Sequence, residues 1–230
     1  MEPRITEINK EKPKYILFDV YETLLDMTDV ERKVNNLLDS KRGYTVWFEM
    51  FMQYCFVDNC TGQFHDFTSI GVATMKMAGS ILGRIPGEAG VNDVLELLRH
   101  LPVHEDVQQG LSQLDQKGYQ LAALTNTPSN TVLDRMERTG LISYFDPMLS
   151  AEQVKKYKPA VEVYQWAAQQ CGVKLNEILM VTAHGWDLAG ASNAGMRTAY
   201  VKKTKQMLYP LSPQPEFICK SVLDLAGQLE

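Results

Sequence analysis

Tyr15-Ile16-Leu17-Phe18-Asp19-Val20-Tyr21-Glu22-Thr23-Leu24-Leu25 is the stretch whose reading decides the fold. Five of its first six residues are apolar or aromatic, the composition of a short strand buried on both faces of a helix-covered parallel sheet. One carboxylate, Asp19, stands where that run gives out. Strand ends in an open parallel sheet face the crevice where ligands bind. An acid there is therefore a nucleophile, a base or a metal ligand, or else simply the cap of the next turn.

Downstream, Thr28-Asp29 open a helical pattern carried by Val30, Val34, Leu37 and Leu38, which Gly43 interrupts. A second helix runs through Val46 to Val57 and is unusually aromatic for a surface helix, so it is expected to line something. A third lies at about Phe67 to Leu82 and a fourth at about Val91 to His100. No strand pattern interrupts them, and residues 27–101 read as an all-helical insertion whose Met and aromatic side chains are ordinarily core. From His104 the chain alternates helices with short apolar strands: Tyr119 to Thr125, Pro147 to Leu149, Ile178 to Thr182 and Thr198 to Val201. That is the signature of β-α units with right-handed crossovers, so residues 1–26 and 102–230 form one α/β core domain. The tail carries prolines at 210, 213 and 215 and then a short helix near Ser221 to Ala226.

Composition narrows the partners. The chain has 230 residues, 45% hydrophobic and 22% charged, enough for one large domain or two modest ones. A formal charge of −5 with scattered Lys and Arg leaves no footprint for nucleic acid or an anionic membrane, so a small molecule is the expected partner. The residues Met1 to Lys14 are polar and charged, which does not fit a signal peptide, and no apolar run approaches the ~20 residues of a membrane helix. Cys55, Cys60, Cys171 and Cys219 form no metal-like spacing and are expected as buried reduced thiols, which suits the cytoplasm.

Three further strand ends bring chemistry to the crevice. Leu124-Thr125-Asn126-Thr127-Pro128 delivers a hydroxyl and an amide together, able to hold a carboxylate or a leaving anion, or to make an ordinary turn. Lys156-Tyr157-Lys158-Pro159 places a lysine ahead of a helix, and an ammonium beside a carboxylate keeps the acid ionised. Val181-Thr182-Ala183-His184-Gly185-Trp186-Asp187 packs a histidine, a tryptophan and an acid into a strand-to-helix turn.

Together and in this order, these motifs resemble the haloacid dehalogenase superfamily, and within it the type II L-2-haloacid dehalogenases. The likeness spans nearly the whole chain. It comprises the opening D-x-Y-x-T-L, the helical insertion, Thr125-Asn126, then Tyr157-Lys158-Pro159-Ala160-Val161-Glu162-Val163-Tyr164 and Trp186-Asp187-Leu188-Ala189-Gly190-Ala191. The resemblance implies a Rossmann-like parallel-sheet core with a helical cap domain, and hydrolysis of short L-2-haloalkanoic acids without cofactor or metal. It implies Asp19 as nucleophile, Thr125 and Asn126 as substrate and halide contacts, Lys158 and Asp187 as the pair positioning Asp19, and Trp186 as a pocket wall with Tyr21 and Trp47. Homodimers are common among the resembling enzymes.

Two competing readings stay open: a superfamily phosphatase acting on a small phosphomonoester, and a non-catalytic interaction protein on the same fold. Phosphatases of the superfamily carry a second aspartate where this chain has Tyr21, and a magnesium-binding aspartate at the end of the strand that here closes on Val181-Thr182. A threonine replaces a carboxylate poorly around a hard cation.

The chain also departs from the usual dehalogenase pattern. Glu22 stands where the family usually has Gly, and His184 where it usually has Asn. These two converge on one crevice, and the expectation is a dyad in which His184 activates water and Glu22 orients the imidazole and stabilises its charge. After Trp47 the family usually has an arginine that cradles halide. Here that residue is Phe48, which leaves the halide to Asn126 and aromatic edges.

Overall fold

The computed structural model describes residues 11–203 and 207–229. Residues 1–10 of the expected core domain, with most of the polar Met1 to Lys14 stretch, lie outside the described residues.

Among the described residues, six parallel strands form one sheet in the order β3-β2-β1-β4-β5-β6. They are β1 (Tyr15–Phe18), β2 (Gln120–Thr125), β3 (Met148–Ser150), β4 (Ile178–Thr182), β5 (Arg197–Val201) and β6 (Phe217–Cys219). β1 lies centrally, Phe18 in register with Ala123 on one side and Val181 on the other. The chain winds outward through β2 and β3 in one direction and through β4, β5 and β6 in the other. The strand order thus reverses beside β1, and the residue after Phe18 emerges in the crevice that this reversal opens.

The alternation of side chains along β1 explains its continuous apolar run. Ile16 and Phe18 enter one buried layer, while Leu17 enters another with Leu124, Met180 and Tyr164. The crossovers run through α5 (Val107–Gln116), α6 (Ser129–Arg138), α7 (Val161–Gln170) and α8 (Gly185–Ala194), with α9 (Val222–Gln228) packed on α5.

Between β1 and α5 lie α1 (Thr28–Leu37), α2 (Gly43–Thr61), α3 (Phe67–Ile81) and α4 (Glu88–Arg99), with no sheet strand among residues 27–101. Asp66 caps α3 by accepting from the Thr68 and Ser69 amides. Gly43 does not break the helical run but begins α2. A Cβ there would stand 3.1 Å from that of Leu38, so glycine permits the tight α1–α2 corner. The aromatic residues Tyr44, Trp47 and Phe51 of α2 are buried.

Two expectations are corrected. The tail contains a strand, β6, absent from the reading of the sequence. It is three residues long and an edge, with Ile218 outward, so it shows neither a buried apolar run nor an extended alternation. Cys60 is exposed rather than buried, because it sits in the last turn of α2. Cys55, Cys171 and Cys219 are buried, and all four are free thiols. Among the described residues, no helix is long and apolar enough to cross a membrane.

Candidate active site

Asp19 follows β1 directly, and its backbone amide donates to Val181 O at 3.0 Å, which holds the residue against β4. The residue is 5% exposed. Oδ1 accepts from Lys158 Nζ at 2.8 Å. Oδ2 accepts from Thr23 Oγ1 at 2.7 Å and lies 3.2 Å from His184 Nδ1 and 3.4 Å from Thr182 Oγ1. Burial by itself would raise this pKa, but the Lys158 ammonium and the His184 ring outweigh it and hold the acid well below the carboxylate range.

Lys158 stands in the segment leading to α7, three residues before its first turn. Its ammonium donates to Asp19 Oδ1 and Asp187 Oδ2, both at 2.8 Å, and to Leu124 O at 3.0 Å, so all three donors are used in a site closed to water. Burial opposes the charge, and the two carboxylates raise the pKa of Lys158 in spite of it. Asp187, in the first turn of α8, offers its other oxygen to Tyr164 OH at 2.6 Å. The close seating of α8 explains the glycine of its motif: a Cβ on Gly190 would fall 2.5 Å from Pro159 and 2.7 Å from Tyr164 OH.

His184 is fully ringed by acids and aromatics. Nδ1 faces Asp19, and Nε2 meets Glu22 Oε2 at 2.8 Å. Both nitrogens can donate only when the ring is protonated. Burial disfavours that charge, but the hydrogen bonds to Asp19 and Glu22 prevail and push the pKa up to about 10. Phe48 and Trp186 stack near the ring at centroid distances of 5.9 and 5.1 Å. The remaining oxygen of Glu22 accepts from Tyr44 OH of α2 at 2.7 Å.

Glu22 adopts φ 59°, the left-handed region in which glycine is at ease and a glutamate is strained by roughly 1–2 kcal/mol. The hydrogen bonds to His184 and Tyr44 are what hold a side-chain-bearing residue there. They also hold its pKa low against the opposing effect of burial.

A cavity of about 170 Å³ opens onto Asp19, Lys158 and His184, and is lined by Tyr21, Trp47, Phe48, Thr125, Asn126 and Trp186. Every expected site residue except Glu22 and Asp187 lines it, and those two lie immediately behind His184 and Lys158. Trp47 is anchored through Nε1 to Gly71 O of α3 at 2.9 Å. Asn126 is turned largely to the backbone: its Oδ1 accepts from Lys158 N at 2.7 Å and its Nδ2 reaches Lys158 O at 3.4 Å. Thr125 Oγ1 accepts from Thr127 N at 3.1 Å. Lys158 Nζ bridges Asp19 and Asp187, so an ammonium occupies the space between the two carboxylates, and no cluster of three metal-binding side chains occurs among the described residues.

Sequence reasoning passed over Thr23, Tyr44, Tyr164, Thr127 and Arg135. Thr23, Thr127 and Tyr164 sit inside quoted motifs, which was a usable signal. Tyr44 and Arg135 lie on helix faces outside any motif, and only the packing of α2 and α6 brings them to the cavity.

The family model for haloacid dehalogenase-like hydrolases matches residues 16–201. The (S)-2-haloacid dehalogenase 4A of Burkholderia cepacia is 27% identical over 190 residues, 81% of this chain and 82% of that protein. The (S)-2-haloacid dehalogenase 1 of Pseudomonas sp. strain CBS-3 is 25% identical over 201 residues, 86% and 88% of the two chains. The structure of L-2-haloacid dehalogenase from Xanthobacter autotrophicus with chloropropionic acid covalently bound superposes with a TM-score of 0.82 at 22% identity, covering 93% of this chain and 97% of that one. A match over residues 16–201, on a parallel sheet whose central strand delivers Asp19 to Lys158, makes the chain a member of the haloacid dehalogenase-like hydrolases.

Proposed function

We propose that the chain is an (S)-2-haloacid dehalogenase, hydrolysing short L-2-haloalkanoic acids to 2-hydroxy acids through an ester on Asp19. The observation that carries this reading is the ionised Asp19 carboxylate, buried at the cavity floor between Lys158 and His184. A nucleophile of this kind suits displacement at carbon, because a halide leaves without needing a proton.

In the first step Asp19 Oδ2 bonds to C2 as the carbon–halogen bond breaks, and halide departs. Oδ1 becomes the ester carbonyl and keeps its hydrogen bond from Lys158, which stabilises the oxyanion of the second step. The resting His184 is an imidazolium and cannot act as a base. Alkylation removes the Asp19 charge 3.2 Å from Nδ1, so the ring sheds that proton to solvent as the one proton that hydrolysis of a carbon–halogen bond releases, while Glu22 retains the one on Nε2. Neutral Nδ1 then takes a proton from the water attacking Cγ and returns it to Oδ2 as the Cγ–Oδ2 bond breaks. The 2-hydroxy acid leaves with the old Asp19 oxygen, Asp19 regains one from water, and the second hydrogen of that water passes from the new carboxyl to Nδ1, restoring the carboxylate and the imidazolium.

Residues 27–101 act in this scheme as a cap over the core of residues 1–26 and 102–230. Asn59 of α2, paired with the Tyr157 backbone at 2.8 and 2.9 Å, ties the cap beside Lys158. The free thiols suit a cytoplasmic enzyme. The homodimer expected from the resemblance is checked by sedimentation equilibrium. The deciding assay is halide release from both enantiomers of 2-chloropropionate and 2-bromopropionate with a chelator present, beside an Asp19→Asn control. Release from the S enantiomers only, abolished in the control, is expected. Absence of release from all four would sink the reading.

A further inference from the structure

Three buried polar atoms of the cavity's lining residues have no hydrogen-bond partner among the described residues: Tyr21 OH, Thr127 Oγ1 and Arg135 Nε. Arg135 projects from α6, is 7% exposed, and has its guanidinium carbon 5.0 Å from the centroid of the Tyr21 ring. No carboxylate of a described residue lies within ion-pair distance of it. The cation–π contact with Tyr21 leaves Nε–H buried without a hydrogen-bond acceptor, and a buried cation with an unmet donor is costly.

The charges around Asp19 show what is missing. Asp19, Glu22 and Asp187 present three carboxylates to two cations, Lys158 and His184, which are consumed in pairing with them. An incoming haloacid adds a further negative charge. Much of the cavity wall is apolar, with Met27, Phe51, Val94 and Leu98 contributing. Arg135 is the buried cation of this wall that no protein carboxylate has claimed.

We propose that Arg135, Tyr21 OH and Thr127 Oγ1 form the subsite that binds the carboxylate of the substrate. The inference rests on the haloacid reading and deepens it. A planar guanidinium with two hydroxyls matches the two coplanar oxygens of a carboxylate, whereas a spherical halide cannot use a fork of donors. The cavity therefore draws its free cation from α6 of the core. Thr125 Oγ1 accepts the Thr127 amide, which positions Thr127, and the Thr125 hydroxyl still has its own hydrogen to donate to the substrate carboxylate.

The test is calorimetric titration of propionate, and separately of sodium bromide, into Asp19→Asn protein with Arg135 intact or replaced. Arg135→Met is expected to weaken propionate by roughly 30-fold and bromide hardly at all, and Tyr21→Phe and Thr127→Val to weaken propionate by about fivefold each. In the otherwise native enzyme, Arg135→Met should raise KM for 2-bromopropionate far more than it lowers kcat. Arg135→Met removes an unpaired buried charge, so its melting temperature is expected to match or exceed that of the parent. If it does not fold, the two hydroxyl variants decide. Unchanged propionate affinity in the folded variants, or a loss confined to bromide, overturns the proposal. Propionate binding that depends on Arg135 in an enzyme that releases no halide would leave the subsite standing and remove the haloacid reading. Halide release with propionate binding indifferent to Arg135, Tyr21 and Thr127 would do the reverse.

Discussion

Tyr44 of α2 donates its phenolic hydrogen bond to Glu22 Oε1 at 2.7 Å, across the junction between the helical insertion and the sheet. The other oxygen of that carboxylate meets His184 Nε2 at 2.8 Å. A helix of the insertion thus holds the Glu22 carboxylate beside the His184 ring. Tyr44→Phe should slow hydrolysis of the aspartyl ester by about tenfold, the value of one hydrogen bond to a charged group, while leaving the first turnover of halide release nearly intact. Rapid-quench measurement separates the two phases, and equal slowing of both would refute the assignment.

His184→Asn and Glu22→Gln are expected to release one halide per active site and then stall, because alkylation needs only Asp19 and Lys158. The stalled protein should carry the mass of the attached alkanoate. In the native enzyme, a single turnover in 18O-labelled water should place the label in Asp19 and not in the product. Label in the product of the first turnover would mean direct displacement by water.

Glu22→Gly restores the residue that a φ of 59° prefers. It gains roughly 1 kcal/mol of backbone relief but forfeits two charge-assisted hydrogen bonds worth about 1.5–3 kcal/mol each, so a net destabilisation of roughly 2–5 kcal/mol is expected together with collapse of multiple-turnover activity. Multiple-turnover activity retained in the folded variant would show that Glu22 is chiefly structural.

Lys158→Met leaves Asp19 and Asp187 buried without their cation. Breaking such a cluster from one side costs about 3–5 kcal/mol, which a urea melt would register, and activity should be lost. Adding Asp187→Asn should recover part of the stability and none of the activity.

Stability should also depend on pH through His184. Its pKa is raised in the folded state from 6.5 to about 10, so the stabilisation is complete below the unfolded value and declines as the pH climbs, vanishing as the folded value is passed. Asp19, whose pKa is lowered from 3.8, contributes in the opposite sense: its stabilisation is present above 3.8 and is lost as the pH falls. Melting temperatures from pH 6 to 10 should therefore fall more steeply for the native chain than for His184→Asn. Parallel slopes would mean that the ring is neutral at rest.

The sequence by itself determined the sheet, because each central strand is a continuous apolar run that only a doubly covered parallel strand can bury. It also singled out Asp19, Lys158, His184 and Asp187, each near a strand end or a helix start, and these four side chains meet in the structure. Edge strand β6 was invisible because three residues, of which only Cys219 is buried, carry no period. Tertiary structure alone decided which helix faces meet the cavity, bringing in Tyr44 and Arg135, whose spacing resembles that of any helix residue. It also set the surroundings that raise the pKa of His184. A ring's charge depends on how many carboxylates surround it and how little water remains, and both are properties of packing rather than of order along the chain.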